Sequence, residues 1–186
     1  MASAKGVALA AGLSLATGAA ALAAPGHHGG HGFAYGQPGK AAAATRTITI
    51  TMHDNYYEPE RIQVRAGETV RLIVVNKGEL LHEFAIGRPE DHAEHQKMMA
   101  EMVDHGMITA TSVDHQKMKM DHSGGGHGSH GSHQHSHGPE AGNLLLEPGK
   151  TAEMVWTFPK DGVIEFACNI PGHYEAGMVG KIDFRR

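Results

Sequence analysis

The chain has 186 residues, with 16 Lys and Arg against 20 Asp and Glu, and a formal net charge of −4. An acidic chain lacks the basic surface that neutralises phosphates, so this balance argues against a nucleic-acid partner. Histidine, glycine and methionine are abundant, with 16, 25 and 10 residues, but Cys168 is the only cysteine. A lone cysteine cannot form a disulfide within the chain, so its presence needs another explanation.

Residues 1–23 have the pattern of a secretory signal peptide. Lys5 precedes an uncharged stretch rich in Ala and Leu, which ends in the small-x-small sequence Ala21-Leu22-Ala23. A membrane anchor is the alternative, but the stretch is short and Pro25-Gly26 follows it directly. We therefore expect cleavage near Ala24, a mature chain without a membrane span, and location in an oxidising compartment, most simply a bacterial periplasm.

The remaining chain divides into a lead-in and a strand-rich domain. Residues 24–44 lack apolar periodicity and are predicted to form a flexible lead-in rich in His and Gly. Within residues 45–186, alternating or continuously apolar segments bounded by turn sequences predict eight strands. These segments are 46–52, 61–65, 69–75, 80–86, 143–146, 151–158, 163–168 and 178–184. Eight short strands of this kind are typical of an all-β antiparallel sandwich.

An insert, residues 88–141, interrupts the strands. Its first part, from Pro89 to about Val103, is rich in Glu, Gln, Lys, Met and Ala and is predicted to be helical. Its second part, from Asp121 to Gly138, is almost entirely His, Gly and Ser. Such a composition has no apolar surface to bury, so this part is predicted to be disordered.

The loop before the last predicted strand carries three residues with metal-binding side chains. Cys168, His173 and Met178 follow one another with four residues between each pair. A thiolate, an imidazole and a thioether are three ligands of a copper site that has two His, one Cys and a weak axial Met. The ligand still missing from this set is a second histidine.

His82 is the best candidate for the missing ligand. Three of the 16 histidines lie in the lead-in and ten in the insert, which leaves His53 and His82 beside His173. His53 ends a strand beside Asp54, where an exposed turn residue is expected. His82 lies within an apolar strand, where a histidine is costly to bury unless its nitrogens are satisfied. A hydrogen-bonded core histidine is the alternative, but the Cys-His-Met loop favours a copper ligand.

With these four ligands, the strand-rich segments resemble the cupredoxins, the family of blue-copper β-sandwiches. The resemblance implies a Greek-key sandwich with one type 1 copper, held by His82, Cys168, His173 and Met178. In many cupredoxins an asparagine follows the first histidine ligand and hydrogen-bonds near the thiolate, whereas this chain has Glu83. An acidic residue there is expected to change the field around the sulfur, and with it the colour and potential of the site.

The loop spacing also resembles the type 1 site of multicopper oxidases. Those enzymes carry histidines on both sides of the cysteine, but here the neighbours are Ala167 and Asn169. A binuclear purple-copper site needs two cysteines, and Cys168 is alone. The sequence therefore predicts a copper protein that is not an enzyme.

The insert offers further ligands for soft metals. On the predicted helix, His92, His95, Met98, Met99 and Met102 share one face. Two interpretations compete for this stripe, a Met-rich helix packed on the sandwich or an accessory copper site, and the histidines on it favour the binding of a soft metal such as Cu(I). The other accessory candidates are His115, Met118, His122, His127, His130, His133, His135 and His137. The second part of the insert, the His-rich tract, could also be a solvated linker or a pH-responsive segment, but imidazoles on a flexible chain bind copper or zinc without a preformed fold.

The leading functional prediction is a periplasmic copper-binding protein that acts in copper tolerance. This chain resembles the cupredoxin-like copper-tolerance proteins of proteobacteria, which carry similar His- and Met-rich segments. The alternatives are a soluble electron carrier and a chaperone that delivers copper to another protein. The expected partners are copper ions and a periplasmic redox or copper-handling protein.

Overall fold

Ten strands and two helices make up the part of the chain that the computed structural model describes, residues 33–121 and 141–185. The strands are β1 (Gln37–Pro38), β2 (Thr47–His53), β3 (Tyr56–Glu58), β4 (Arg61–Arg65), β5 (Thr69–Asn76), β6 (His82–Gly87), β7 (Asn143–Leu146), β8 (Thr151–Thr157), β9 (Ile164–Ala167) and β10 (Val179–Arg185). The helices are α1 (Pro89–Asp104) and α2 (His115–Asp121), and a 3-10 turn spans Ala41–Ala43. All eight predicted strands are present close to their predicted bounds, while β1 and β3 were not predicted.

The strands form two five-stranded sheets that face each other as a sandwich. One sheet has the order β1-β8-β5-β2-β3 and the other the order β4-β10-β9-β6-β7. The predicted sandwich is confirmed, with the difference that β2 pairs with β5, and β4 with β10, in parallel. Alternation explains which face each strand buries: along β4, Ile62 and Val64 point inward while Arg61, Gln63 and Arg65 are exposed.

Large aromatic side chains fill the space between the sheets. Tyr57, Phe84 and Phe166 pack on one another, with Tyr57 meeting the Phe166 ring edge-on at a centroid distance of 5.0 Å. Trp156 and Phe158 are also fully buried. Side chains of this size supply much of the apolar area that a small sandwich buries.

Part of the predicted lead-in is packed on the sandwich. β1 pairs with β8, and the Tyr35 ring stacks on Trp156 at a centroid distance of 6.0 Å. The Trp156 indole N–H donates to the Tyr35 carbonyl oxygen at 3.1 Å. Residues 33–44 are therefore not the flexible segment that composition predicted, because the rings of Phe33 and Tyr35 stack against Trp156. Residues 24–32 lie outside the described part of the chain.

The first part of the insert is helical, as predicted, and it belongs to the core. On α1 the side chains of His92, Met99 and Met102 are buried, and Ile108 is buried just after the helix. The predicted disordered stretch begins at Asp121, which is the last residue of α2; residues 122–140 lie outside the described part. No helix within the described ranges is long and apolar enough to cross a membrane.

Candidate metal centre

His82, Cys168 and His173 meet at one end of the sandwich. Their potential ligand atoms all lie within 4.8 Å of one another, and among the described residues no other three His, Cys, Asp or Glu side chains meet this way. Cys168 Sγ lies 3.4 Å from His173 Nδ1, and the centroids of the two imidazole rings are 5.0 Å apart. His82 and Cys168 are fully buried, whereas His173 is partly exposed.

Strand pairing explains why residues so distant in sequence meet. β6 and β9 are antiparallel neighbours, with Ala85 opposite Ala167. His82 is the first residue of β6 and Cys168 directly follows β9, so both lie at the same end of these two neighbouring strands. The register of β6 and β9 therefore brings together His82 and Cys168, which the sequence predicted to be ligands of one site.

The loop from Cys168 to Met178 is folded tightly on itself. The backbone N–H of Met178 donates to the His173 carbonyl oxygen at 3.0 Å, and that of Cys168 donates to the Met178 carbonyl oxygen at 3.2 Å. Gly172 and Gly177 have φ values of 86° and 96°, which side chains other than hydrogen disfavour. This geometry returns Met178, the predicted axial ligand, to the protein interior beside Cys168, where its side chain is fully buried.

The orientation of His82 leaves one nitrogen available for a metal ion. Its Nε2 lies 2.8 Å from Asp54 Oδ1, while its buried Nδ1 has no hydrogen-bond partner among the described residues. An unsatisfied buried nitrogen costs free energy, and a metal ion bound there would remove that cost. Together with a thiolate, a second imidazole and a thioether, this nitrogen gives a donor set that fits copper.

Asp54 is a neighbour of the centre that the sequence did not reveal. It follows His53 at the end of a predicted strand, and no short-range pattern connects it to His82. In the structure its carboxylate accepts hydrogen bonds from the backbone N–H groups of Glu79 and Leu80, at 3.0 and 3.3 Å, as well as from His82. These bonds fix the segment that leads into β6 and hold the His82 ring in one orientation.

The ligand side chains are uncharged before metal binds. Burial raises the pKa of the Cys168 thiol to about 12, although the backbone N–H of Glu83 donates to Sγ at 3.3 Å and lowers it in part. Burial also lowers the pKa of His82 and of His173 below the usual histidine value. Neutral imidazole is the form that coordinates metals, whereas the thiol must release its proton on binding.

Glu83, the departure from the cupredoxin pattern, is the centre of a buried polar network. Its carboxylate lies 2.7 Å from His95 Nε2 and accepts hydrogen bonds from Asn169, at 2.8 Å from Nδ2 and 3.2 Å from the backbone N–H. Burial, the largest single influence, raises the pKa of Glu83, but His95 and the two hydrogen bonds from Asn169 together lower it more, and the net pKa lies below the usual value. The Glu83 carboxylate in turn raises the pKa of His95 against the effect of burial. The Glu83 side chain is buried and that of His95 is 16% exposed, so the two form a close hydrogen-bonded pair.

The accessory candidates are distributed over different environments. Met99 and Met102 belong to the hydrophobic core, so the structure supports the packing alternative for these two residues. His92 is buried, His95 contacts Glu83, Met98 and Met118 are partly buried, and His115 is exposed. The remaining candidates, His122, His127, His130, His133, His135 and His137, lie outside the described residues.

Comparisons with known proteins agree with the fold. Residues 14–107 match the family described as "Cupredoxin-like domain", a match that includes His82 and ends before the Cys168 loop. Auracyanin B, a solved structure, superposes with a TM-score of 0.54 at 16% identity, over 83% of this chain and 97% of that one. At that identity the likeness shows the fold alone.

Two curated relatives are similar over most of their length. The copper-resistant cuproprotein CopI of Pseudomonas aeruginosa is 48% identical over 173 residues, which is 91% of each chain. The copper-resistant cuproprotein CopI of Rubrivivax gelatinosus is 37% identical over 152 residues, which is 81% of this chain and 73% of the relative. Its sequence match, its relatives and its two-sheet sandwich together show that this chain belongs to the cupredoxin-like family.

Proposed function

We propose that this chain is a periplasmic copper-binding protein that acts in copper tolerance and holds one copper ion in a type 1 centre. The observation that carries the proposal is the convergence of ligand atoms of His82, Cys168 and His173, together with a His82 Nδ1 that is buried and has no hydrogen-bond partner among the described residues. His82, Cys168 and His173 would hold the ion, with Met178 as the weak axial ligand.

The protein framework suits a centre of this kind. Copper, when bound, supplies a one-electron couple between Cu(I) and Cu(II). The ligand residues are fixed by β6, β9 and a hydrogen-bonded loop, so little rearrangement would accompany a change of oxidation state. His82, Cys168 and Met178 are fully buried, which excludes water from the sulfur atoms and protects the thiolate from oxidation.

The tolerance role is supported by the relatives and by the composition of the insert. Both CopI proteins described above are named copper-resistant cuproproteins. Residues 122–140 carry six histidines, which can collect copper without a preformed site. The signal-like segment at 1–23 supports a periplasmic location. The proposal includes no catalytic activity, because Ala167 and Asn169 stand where an oxidase would carry histidines.

One observation favours electron transfer as a second candidate function. Of the four proposed ligands, His173 is the only one whose side chain reaches the surface; the other three are fully buried. An electron could therefore enter or leave through its ring. This function needs the copper centre but not the His-rich tract, so the two candidates predict different effects of changing that tract.

The structure decides how the tract should be tested. Deleting all of 88–141 would remove α1 and with it Met99 and Met102 from the core, so loss of function would only report misfolding. Replacing the six histidines between 122 and 137 with Asn keeps the chain length and leaves the described core untouched. In a copper-sensitive bacterium, the wild-type chain is expected to raise the copper concentration that stops growth.

Three variants then distinguish the candidates. The Asn-substituted tract is expected to give reduced protection and to bind fewer copper ions by native mass spectrometry, while the type 1 centre keeps one. Cys168→Ser is expected to lose the type 1 copper. No protection by the wild-type chain would contradict the tolerance role, and full protection by a chain that lacks both the tract histidines and Cys168 would show that protection does not depend on these copper ligands. Full protection by the tract variant alone would favour a role centred on the type 1 copper.

A further inference from the structure

The inserted helix reaches the metal centre through one side chain. Arg88 alone separates β6 from α1, and it closes the first helical turn by pairing with Asp91, at 2.7 Å from Nη2 to Oδ1. This start directs α1 back across the strand from which it emerges. His95, less than two turns into the helix, thereby comes to lie against Glu83 on β6.

Glu83 is tied to the cysteine by its backbone and to the helix by its side chain. Its backbone N–H donates to Cys168 Sγ at 3.3 Å, and its carbonyl oxygen accepts from the Tyr57 hydroxyl at 2.6 Å. Its carboxylate accepts from Asn169, the residue after the cysteine, and from His95. A shift of this carboxylate would therefore move both a peptide group that contacts the sulfur and the residue that follows the sulfur in sequence.

The carboxylate depends on His95 for one of its hydrogen bonds. Glu83 is only 1% exposed, and an ionised carboxylate is costly to bury unless it is both paired and hydrogen-bonded. The two carboxylate oxygens have different partners, since Asn169 donates to Oε2 at 2.8 Å and His95 Nε2 lies 2.7 Å from Oε1. Without His95, Oε1 loses this partner in a buried site, and the carboxylate shifts relative to Asn169.

We propose that His95 is a positioning residue for the metal centre, which acts through Glu83 to fix the backbone N–H on the sulfur of Cys168. The inference rests on the proposed copper centre. Hydrogen bonds to a ligating sulfur tune the electron density it gives to the metal, so the position of this N–H sets the character of the sulfur–copper bond. The insert then has a structural role at the centre that is separate from any collection of copper by its tract.

A double-mutant cycle tests the proposal on copper-loaded protein. His95→Gln, which replaces the rigid imidazole by a flexible amide, is expected to shift the sulfur-to-copper absorption band and the copper EPR spectrum. Glu83→Gln is expected to shift them as well. Because His95 acts through Glu83, the double variant should have the spectrum of Glu83→Gln alone. An unchanged spectrum in His95→Gln, or shifts that simply add in the double variant, would overturn the proposal.

Met102→Ala is the matched control for loss of packing. It lies on the same helix and is buried in the core, but it makes no hydrogen bond to Glu83. It should lower stability and leave the spectrum unchanged; a spectral shift as large as that of His95→Gln would count against the proposal. If His95→Gln does not fold, the double variant, in which two neutral Gln side chains face each other, is expected to fold. Failure of the double variant to fold would also overturn the proposal.

Hydrogen exchange in the metal-free protein separates this inference from the proposed function. The Glu83 amide should exchange several-fold faster in His95→Gln than in Met102→Ala, under conditions where the two variants have the same free energy of unfolding. Equal exchange rates would contradict the role of His95. A wild-type protein without a sulfur-to-copper band would contradict the copper centre instead, and the exchange measurement would still decide the role of His95.

Discussion

His82 Nε2 lies 2.8 Å from the carboxylate of Asp54, which belongs to the turn between β2 and β3. The contact joins the two sheets of the sandwich, since β2 belongs to one and β6 to the other. It leaves Nδ1 as the nitrogen available to a metal. The hydrogen bond also lowers the pKa of Asp54, so the carboxylate is ionised at neutral pH.

Asp54→Asn should weaken the copper centre and raise its reduction potential. The amide oxygen can still accept the imidazole proton, but it no longer has the negative charge that makes His82 a stronger donor to Cu(II). Replacing partners of this kind costs about 10–100-fold in metal affinity, which a competition titration with a copper chelator would measure. A redox titration should show the rise in potential.

Asp161→Asn is the control for this change. Asp161 is an exposed carboxylate in the turn between β8 and β9, so its replacement alters the net charge equally without touching the centre. Equal affinities and potentials in the two variants would show that Asp54 acts only through net charge.

Met99 is predicted to be a packing residue and not a copper ligand. Its side chain is fully buried in the core, so Met99→Ala should lower the free energy of unfolding by about 2–5 kcal/mol. Met99→Leu keeps the volume and removes the thioether, and should cost less than about 1.5 kcal/mol. Chemical denaturation measures both values. A drop in the number of bound copper ions in Met99→Leu would instead support the accessory-site interpretation.

Glu68 is predicted to make stability depend on acid pH. Its buried carboxylate accepts hydrogen bonds from Arg46 Nε at 3.0 Å, from the Arg65 backbone N–H at 2.8 Å and from Thr45 Oγ1 at 2.8 Å. The Arg46 hydrogen bond is the largest influence, and the pKa of Glu68 falls to about 2. Because the pKa is lower in the folded state, the stabilisation is complete above the unfolded value near 4.5 and is lost as the pH falls towards 2.

Glu68→Gln should therefore be destabilised at pH 7 but not in strong acid. Since Arg46 is partly exposed and its charge is screened, we expect a difference of about 1–3 kcal/mol at pH 7. Urea unfolding of the metal-free proteins at several pH values between 7 and 3 should show this difference shrinking below pH 4.5. A difference that stays constant over this range would mean that the carboxylate charge contributes nothing.

The sequence predicted the strands and the ligand loop because both depend on short-range patterns. Alternation along β4 is visible in five residues, and Cys168, His173 and Met178 lie within one loop. His82 could be added because a polar residue stood out in an apolar strand. The contacts of Asp54 with His82 and of His95 with Glu83 could not be predicted, because they depend on how turns and helices dock after the sheets form.

The helix shows where an amphipathic pattern is ambiguous. A stripe of His and Met on one face can form a metal-binding surface or a packed surface, since soft ligands are also good core residues. In the structure, Met99 and Met102 are buried in the core. Only the position of the helix on the sandwich resolves that ambiguity.

A titration of the metal-free protein with Cu(II), followed by visible absorption and EPR, tests the proposed centre most directly. The wild-type chain is expected to develop an intense sulfur-to-copper band that saturates at one equivalent, whatever the tract binds in addition. Cys168→Ser should lack this band, while its tract histidines still bind copper. A band of equal intensity in Cys168→Ser, or none in the wild-type chain, would contradict a copper ion held by Cys168 between His82 and His173.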